Sequence, residues 1–429
     1  MLNPSRLLRL KSDALRRGAE SLRRSVVTSS QQAIDLEAKV GATNYHPLPV
    51  VLTKGEGVFV WDVEGRRYYD FLSSYSAVNH GHCHPRLVRA LSEQASKLTL
   101  TSRAFYNDCL GEYMLFATKL FGYDRLLPMN SGVEACESAI KLARRWAYTV
   151  KGVADEQAVV LFASNNFWGR SIAALSASTD PDSYQKFGPY TPGFKIIPYD
   201  DLDALERAAS EPNVAAFMVE PIQGEAGVKV PSEGYLRGVR KICTEKRVLF
   251  VADEVQTGLG RTGRRLCCDY EDVRPDLLAL GKALSGGLYP VSAVLADDEV
   301  MLQIKPNQHG STFGGNPLAC KVATEALKVL EEEKLAENST KQGALMMREL
   351  RKLEGTGGPV LRVRGKGLFQ AIIVKEGFDA WEICLRLKER GLLCKPTHGD
   401  KIRLAPPLVI TEEQVLECTD IIKNVLQSL

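Results

Sequence analysis

Short runs of apolar residues alternate with longer stretches of helical periodicity between about residues 130 and 296. Continuous apolar runs of this length are typical of strands that are buried on both faces of a parallel sheet. Such runs separated by helices predict an α/β fold, with a mostly parallel sheet flanked by helices. The predicted strands are residues 159–163, 195–198, 214–219, 248–252, 277–280 and 291–296.

The pattern changes on both sides of this region. Before it, two aromatic-rich runs at 58–61 and 67–69 enclose a turn and predict a hairpin. After it, Asn316-Pro317 begins an apolar-faced helix that leads into a small α+β domain. That domain is predicted to contain strands 360–363, 368–374 and 401–404 and a helix at 381–389. The predicted parts are a presequence (1–32), an N-terminal segment (33–70) that joins the small domain, a large domain (71–315), and a connecting helix with the small C-terminal domain (316–429).

The composition is typical of a soluble enzyme. Of the 429 residues, 45% are hydrophobic and 25% are charged, and the net charge of +3 gives no indication of nucleic-acid binding. No apolar run reaches the roughly 18 residues that a membrane span requires. The ten cysteines have no regular spacing, which favours buried thiols in a reducing compartment over a disulfide framework.

The first 32 residues differ from the rest, because they are rich in arginine and serine and poor in acids. Leu7, Leu8, Leu15 and Leu22 can form one side of a helix with arginines opposite, which is typical of a mitochondrial transit peptide. A basic tail or a nucleic-acid-binding arm is the alternative. The first interpretation predicts a location in the mitochondrial matrix.

A single lysine, Lys282, follows the apolar run 277–280 and precedes a glycine pair. A lysine that is desolvated at a strand end has a lowered pKa and can act as an imine-forming nucleophile. A surface lysine just past a strand is the alternative on this segment alone. A nucleotide-binding P-loop is excluded, because Ala283 stands where Ser or Thr is required and Asp276 stands where a glycine is required.

Polar residues also follow other predicted strands, at the edge where ligands of open α/β sheets bind. Ser131 and Gly132 precede a predicted helix, whose N-terminus can hold a phosphate, although serine is also the ordinary N-cap residue. Asp253 follows the run 248–252, and a buried acid needs a cationic partner. Other residues at these ends can either pack or bind a ligand: Phe167, Trp168, Arg170, Glu220 and Glu225.

The combination is more specific than any single segment. Asp253 and Lys282 are about thirty residues apart, the length of one strand-helix-strand unit, so both are expected to face one crevice. A phosphate cradle, a stacking aromatic ring, an acid and an imine-forming lysine are together the requirements of pyridoxal 5'-phosphate. In that arrangement Lys282 binds the cofactor aldehyde, and Asp253 keeps the pyridine nitrogen protonated so that the ring accepts electrons.

Three histidines, His80, His82 and His84, alternate and are expected on one side of an extended segment. Their spacing is too crowded for a structural zinc site, and no second cluster in the sequence completes a tetrahedral set. We interpret them as turn or interface residues and predict no metal site.

Three segments resemble the signatures of class III pyridoxal-phosphate aminotransferases of fold type I. They are Ser131-Gly132-Val133-Glu134-Ala135, Asp253-Glu254-Val255-Gln256-Thr257-Gly258 and Gly281-Lys282-Ala283. Other segments are similar to the branch of this family that acts on L-ornithine: Asn44-Tyr45-His46-Pro47, Phe167-Trp168-Gly169-Arg170 and Lys395-Pro396-Thr397-His398. The resemblance extends from about residue 33 to the C-terminus, with Ser131 where threonine is common and Val255 where isoleucine is common.

The resemblance implies a role for each candidate residue. The cofactor phosphate would be bound by Ser131, Gly132 and Val133. Phe167 would stack on the ring, and Gln256 would hydrogen-bond the ring hydroxyl. Thr312 would contact the cofactor phosphate of the neighbouring subunit, which implies a homodimer with shared active sites and leaves higher oligomers open. The implied substrate-binding residues are Tyr45, Tyr75, Arg170, Glu225 and Arg403.

The implied reaction transfers the δ-amino group of L-ornithine to 2-oxoglutarate. It gives L-glutamate 5-semialdehyde, which cyclises to pyrroline-5-carboxylate, and L-glutamate. Tyr45 and Arg170 would hold the α-amino and α-carboxylate groups of ornithine, and Tyr75 would wall the pocket. Arg170 and Arg403 would bind the two carboxylates of glutamate, and Glu225 would pair with Arg403 while ornithine is bound. The alternatives are class III activities on acetylornithine, 4-aminobutyrate or another ω-amine, and a catalytically silent scaffold with the same fold.

Overall fold

The structure is a computed structural model that describes residues 29–429. The presequence predicted for residues 1–32 lies outside these residues, except for its last positions. From residue 29 onward, no helix has the length and apolar character that a membrane span requires. The chain forms two compact units, one up to Gly55 together with Val60–Arg67, and one of Glu56–Phe59 together with Tyr68–Leu429. The four-part division made from the sequence stays a prediction.

The strands of the described residues fall into three sheets. They are β1 Leu52–Glu56, β2 Phe59–Asp62, β3 Arg67–Asp70, β4 Arg125–Met129, β5 Val159–Ala163, β6 Phe194–Ile197, β7 Val214–Val219, β8 Leu249–Asp253, β9 Leu277–Leu280, β10 Ser292–Ala296, β11 Val360–Lys366, β12 Phe369–Val374, β13 Leu392–Leu393, β14 Lys395–Thr397 and β15 Lys401–Leu404.

Right-handed α-helices alternate with these strands. They are α1 Ser30–Val40, α2 Pro85–Ala95, α3 Leu110–Phe121, α4 Gly132–Trp146, α5 Ile172–Ser176, α6 Pro181–Tyr184, α7 Leu202–Ala209, α8 Tyr235–Glu245, α9 Asp298–Met301, α10 Pro317–Glu332, α11 Leu335–Arg351, α12 Ala380–Glu389 and α13 Glu412–Gln427. A π-helical turn, Ala147–Lys151, continues α4, and 3-10 turns are formed by Cys267–Glu271 and Lys282–Ser285.

The large sheet has the strand order β4-β10-β9-β8-β7-β5-β6. The strands from β9 to β6 are parallel to one another. Strand β10 is antiparallel to both β9 and β4. The predicted α/β class with a mostly parallel sheet is therefore confirmed. The sequence pattern did not predict β4, which begins with an arginine and contains a proline.

Helices cover both faces of the large sheet. On β5, Val160 and Phe162 pack in a cluster with α4, whereas Leu161 and Ala163 pack on the opposite face with α7 and α8. Every residue of β7, β8 and β9 is buried, which explains why these strands read as continuous apolar runs. Each fully buried large apolar side chain stabilises the fold by roughly 1.5–3 kcal/mol relative to exposure.

The C-terminal sheet has the order β11-β12-β15-β14 and is antiparallel. Helices α11 and α12 pack against it. On β15, Arg403 is paired with Ala371 of β12 on one side and with Lys395 of β14 on the other. A residue in the interior of a sheet has little backbone freedom, so this sheet fixes the starting point of the Arg403 side chain.

The predicted hairpin is present as β2 and β3. The Asp62 N–H donates to the Arg66 carbonyl at 3.0 Å, and the Asp70 N–H donates to the Val58 carbonyl at 2.9 Å. Beyond β3, β13 pairs with it in parallel over two residues.

The three predicted turn or interface histidines have separate partners. His80 Nε2 lies 2.8 Å from the Ala326 carbonyl oxygen, at the α10 helix. His82 Nε2 lies 2.7 Å from Asp70 Oδ2, and His84 Nε2 lies 3.2 Å from Glu333 Oε1. His80 and His84 therefore connect this segment to α10 and its C-terminal end, and His82 connects it to the end of β3.

Candidate active site

The ends of three strands meet at one edge of the large sheet. Strand β8 ends at Asp253, which is paired with Ala279 of the parallel neighbour β9, and Lys282 follows β9 after one glycine. Strand β4 runs in the same direction as β9, because both are antiparallel to β10. Gly132, just after β4, therefore reaches the same edge: a Cβ on Gly281 would lie 3.5 Å from the Gly132 Cα.

A cavity of about 210 Å³ opens at this edge. Its lining contains six of the residues predicted from the sequence: Gly132, Val133, Phe167, Asp253, Gln256 and Lys282. It also contains five residues that were not assigned to the site: Cys136, Trp168, Gly169, Glu220 and Val255. Trp168 was among the residues that could either pack or bind a ligand, whereas Cys136 gave no separate signal; both also belong to the apolar core.

Lys282 is half-buried and has a strained backbone conformation. Its φ of 44° is in the left-handed region, which costs a non-glycine residue roughly 1–2 kcal/mol. Burial lowers the pKa of Lys282, and the nearby carboxylates of Glu225, Asp253 and Glu220 oppose that shift. A lowered pKa increases the fraction of neutral amine, which is the nucleophilic form.

Asp253 is a buried acid with backbone support. Its Oδ1 accepts a hydrogen bond from the Val255 N–H at 3.0 Å, and the Cys136 thiol donates to Oδ2 over 3.6 Å. Burial raises the pKa of Asp253, while the Val255 N–H and the charge of Lys282 act in the opposite direction. The carboxylate is therefore suited to a cationic N–H partner, which would favour its charged form.

Glu220 is a second buried acid of the lining. Its Oε1 accepts from the Phe167 N–H at 3.0 Å and its Oε2 accepts from the Gly224 N–H at 3.2 Å. Burial, reinforced by the charge of Asp253, raises the pKa of Glu220 to about 8. Glu220 thus fixes the backbone that places the Phe167 ring at the cavity.

The N-terminus of α4 forms the end of the cavity that suits an anion. Ser131 caps this helix through a capping box: the Glu134 N–H donates to Ser131 Oγ, and the Ser131 N–H donates to the Glu134 carboxylate. Gly132 is required by close packing, because a Cβ there would lie 2.9 Å from Val255 Cγ1. Backbone N–H groups in the first turn of a helix bind phosphate.

The lining fits pyridoxal 5'-phosphate. Among the described residues, two buried polar atoms of the lining residues have no hydrogen-bond partner, Gln256 Oε1 and Trp168 Nε1. The remaining donors and acceptors are a helix N-terminus, a buried carboxylate and a half-buried lysine. These groups match the phosphate, the pyridine nitrogen and the aldehyde of that cofactor.

Glu225 and Arg403 form an ion pair, and the charges of both residues act on the pKa of Lys282. Arg403 Nη1 donates to Glu225 Oε1 at 2.6 Å, and the Arg403 side chain is 4% exposed. Burial by itself would raise the pKa of Glu225, but the charge and hydrogen bond of Arg403 outweigh it and hold that pKa below its ordinary value. The pair predicted from the resemblance is therefore formed in this structure.

Tyr75 contacts the same pair. Its ring centroid lies 4.6 Å from the Arg403 guanidinium carbon, a distance typical of a cation–π contact. Residues 73–76 all have φ between 48° and 72°, so the chain makes one left-handed turn here. Strain of this kind is concentrated at functional sites.

Three other predicted residues are not among those that line the cavity. Arg170 is exposed, donates to Ser183 Oγ at 2.9 Å, and lies 5.4 Å from the centroid of the Phe167 ring. Thr312 is exposed in the loop before α10. Tyr45 belongs to the N-terminal compact unit and is 74% exposed. Their roles in binding stay predictions.

Comparison with known proteins agrees with this geometry. The family model described as aminotransferase class-III matches residues 40–426. The mitochondrial ornithine aminotransferase of Drosophila melanogaster is 65% identical over 92% of this chain and 91% of its own length. The solved ornithine aminotransferase of Toxoplasma gondii, described with PLP at its active site, has a TM-score of 0.94 and 49% identity over 96% of this chain and 97% of its own. A solved acetylornithine aminotransferase of Elizabethkingia anophelis has a TM-score of 0.86 and 57% identity over 93% of this chain and 99% of its own. The chain belongs to the class III aminotransferase family, whose members depend on pyridoxal phosphate.

Proposed function

We propose that this protein transfers the δ-amino group of L-ornithine to 2-oxoglutarate, giving L-glutamate 5-semialdehyde and L-glutamate. The observation that carries the proposal is the Glu225–Arg403 ion pair, whose charges act on Lys282 of the cavity lining. A pair of this kind can withdraw a carboxylate-binding cation from the site while a substrate without a second carboxylate reacts. The names of the Drosophila and Toxoplasma relatives support the same substrate.

Pyridoxal phosphate, when bound, supplies an aldehyde that takes up the amino group and a ring that accepts an electron pair. Ser131, Gly132 and Val133 would hold its phosphate at the N-terminus of α4. Phe167 would stack on the ring, and the unpartnered Gln256 Oε1 would accept a hydrogen bond from the ring hydroxyl. These assignments follow from the cavity lining and from the unpartnered Gln256 side-chain oxygen described above.

Lys282 Nζ would have two roles in the reaction. It would anchor the cofactor between turnovers, and it would then act as the base that takes a proton from the substrate carbon bearing the reacting amine and returns it. Its burial supports both roles, because burial lowers the pKa of Lys282. Asp253 would stabilise a protonated ring nitrogen.

Substrate selection would depend on residues outside the cavity lining. Tyr45 and Arg170 would hold the α-amino and α-carboxylate groups of ornithine, so that its distal amine faces Lys282. Tyr75 would form a wall of this pocket. In the second half-reaction, Arg403 would leave Glu225 and bind one of the carboxylates of 2-oxoglutarate or glutamate, and Arg170 would bind the other.

We also propose a homodimer in which Thr312 contacts the cofactor phosphate bound by the partner subunit. Thr312 lies in an exposed loop, and its neighbour Phe313 is 51% exposed. Large exposed apolar side chains such as Phe313 and the fully exposed Tyr106 are typical of surfaces that are covered in an assembly. The mitochondrial names of relatives and the arginine-rich first residues support a mitochondrial location, for which we propose the matrix.

A half-reaction assay tests which amino donor the enzyme uses. Purified enzyme with bound cofactor is mixed with L-ornithine, N-acetylornithine or 4-aminobutyrate, and conversion of the cofactor to its amine form is followed by absorption. We expect ornithine to react about 100-fold faster than N-acetylornithine, because a site built to bind a free α-amino group leaves polar groups unpaired with the acetylated substrate. Faster conversion with N-acetylornithine would contradict the proposal and favour the activity named for the Elizabethkingia relative.

The Glu225→Ala substitution tests whether the Glu225–Arg403 ion pair determines substrate preference. Without its partner Arg403 stays available to a substrate carboxylate, so we expect the ratio of the ornithine to the glutamate half-reaction rates to fall by about 10- to 100-fold. Stopped-flow absorption with each amino donor separately measures the two rates. The matched control is Glu233→Ala, which removes an exposed carboxylate a few residues away and is expected to leave the ratio unchanged. An unchanged ratio in Glu225→Ala would mean that the pair is an ordinary salt bridge.

A further inference from the structure

The loop that contains Glu225, residues 223–229, is held by hydrogen bonds between its own backbone groups. Gln223 and Lys229 pair as an isolated antiparallel bridge, with N–H to carbonyl distances of 3.1 and 2.9 Å. Inside it, the N–H groups of Gly227 and Val228 both donate to the Gly224 carbonyl, at 3.0 and 3.1 Å. These bonds leave the 223–229 backbone little freedom to change shape.

The same loop is also held from outside by strands of the C-terminal sheet. Arg364 on β11 donates from Nε to the Gly227 carbonyl at 2.9 Å and from Nη2 to the Ala226 carbonyl at 3.2 Å. Thr397 on β14 donates from Oγ1 to the Glu225 carbonyl at 2.9 Å. Three consecutive carbonyl groups are therefore bound by two side chains of one sheet.

Packing adds a further constraint at the same point. Gly227 has a φ of 86°, and a Cβ there would lie 2.1 Å from Cδ of Lys401 on β15. The stem of Lys401 therefore lies directly against the loop backbone, which only glycine allows at this distance and conformation. The loop contacts β11, β14 and β15.

Arg403 is on β15 of that same sheet. Because β14 and β12 flank β15 and β11 pairs with β12, the anchors of the Glu225 backbone and the origin of the Arg403 side chain belong to one hydrogen-bonded unit. The Glu225–Arg403 distance is thus set within the C-terminal sheet and the loop bound to it. Breaking the pair then requires only side-chain rotation.

We propose that Arg364 and Thr397 are positioning residues for substrate selection, which hold the Glu225 backbone in the place where its side chain can reach Arg403. The inference rests on the proposed function, because it assumes that the pair switches between two substrates. Loss of an anchor would let the Glu225 backbone move away from Arg403. Arg403 would then be free more often in the ornithine half-reaction, which would slow that reaction relative to the glutamate half-reaction.

The test compares half-reaction rate constants for ornithine and glutamate in four variants of the enzyme with bound cofactor. Arg364→Ala and Thr397→Val each remove an anchor. Arg362→Ala removes an exposed arginine from the same strand, β11, and Thr397→Ser keeps the hydroxyl. We expect the ornithine-to-glutamate ratio to fall about 5- to 20-fold in the first two variants, as loss of a hydrogen bond at a coupled site would give, and to stay at the wild-type value in the other two.

The outcomes separate this inference from the proposed function. If the wild-type enzyme does not react with ornithine, the proposed function fails before any variant is considered. If it does react, but both rates fall equally in Arg364→Ala and Thr397→Val, the two residues are structural only and the inference is wrong. An unchanged ratio in both variants would also overturn it. Because the anchors lie on different strands, Thr397→Val decides the question if Arg364→Ala does not fold, as judged by thermal unfolding and cofactor absorption.

Discussion

Replacing Lys282 with alanine is expected to lower kcat by at least about 10⁴-fold, the upper range for loss of an acid–base group, and to abolish covalent attachment of the cofactor. The reason is that, in the proposed function, one amine serves as both anchor and base. The residue is half-buried, and burial lowers its pKa while the surrounding carboxylates oppose the shift. Borohydride reduction followed by peptide mass spectrometry measures attachment, and steady-state turnover with ornithine measures catalysis.

Lys305→Ala provides the control for this experiment. Lys305 is exposed, and its ammonium donates to the Leu302 carbonyl, so its removal is expected to leave both attachment and turnover unchanged. Reduction of the wild-type enzyme should add the mass of the cofactor to the peptide containing Lys282. Turnover that survives in Lys282→Ala, or a cofactor adduct on another lysine, would contradict the assigned mechanism and reopen the interpretation of Lys282 as a surface residue.

The sheet was predictable because burial on both faces leaves a continuous apolar signal in the sequence. Strands β5, β7 and β9 have the predicted bounds, and β6, β8 and β10 differ by about one residue, within the range that hydrogen-bond definitions allow. Strand β4 was missed because its pairing with β10 depends on residues more than a hundred positions away. The two-residue strand β13 was missed for the same reason, because it pairs with β3. Strand β14 pairs with the nearby β15, but it is only three residues long and contains a proline.

The part of the cavity that could be predicted from the sequence consists of residues at the ends of strands. Residues that directly follow a strand, such as Lys282 and Asp253, are placed by sheet topology alone. Cys136 lies one helical turn into α4, and only the packing of α4 on the sheet brings its thiol to Asp253. Glu220 was noticed as a loop carboxylate, but its two bonds to backbone N–H groups depend on the fold of the loops around it.

Backbone strain could not be predicted from local sequence patterns. The φ values above 40° at Lys282 and at Ser73, Ser74, Tyr75 and Ser76 occur in residues that disfavour this region. The anchoring of the Glu225 loop by Arg364 and Thr397 was likewise not visible, because both residues are distant in sequence and would be ordinary strand residues elsewhere. Their importance comes from the sheet on which Arg403 also lies.

The Asp253→Asn substitution is expected to lower kcat by about 10³-fold, in the range of losing a preorganised electrostatic group in a buried site. Asparagine has nearly the same shape and can still accept the Val255 N–H, which lies 3.0 Å from Oδ1 of Asp253. What it lacks is the negative charge that would keep a cofactor ring nitrogen protonated. Half-reaction rates with ornithine and with glutamate should therefore fall together, in contrast to the selective effect expected for Glu225→Ala.

A spectroscopic measurement distinguishes loss of charge in Asp253→Asn from misfolding. The charge of Asp253 raises the pKa of Lys282. Removing that charge should therefore lower the pKa of the Lys282 nitrogen. The pH dependence of the visible absorption of the bound cofactor is then expected to shift to lower pH in Asp253→Asn. Asp272→Asn is the matched control, because Asp272 is exposed and has a φ of 53°, a conformation that asparagine also tolerates. An absorption titration and turnover equal to those of the wild type in Asp253→Asn would show that this carboxylate does not act on the cofactor ring.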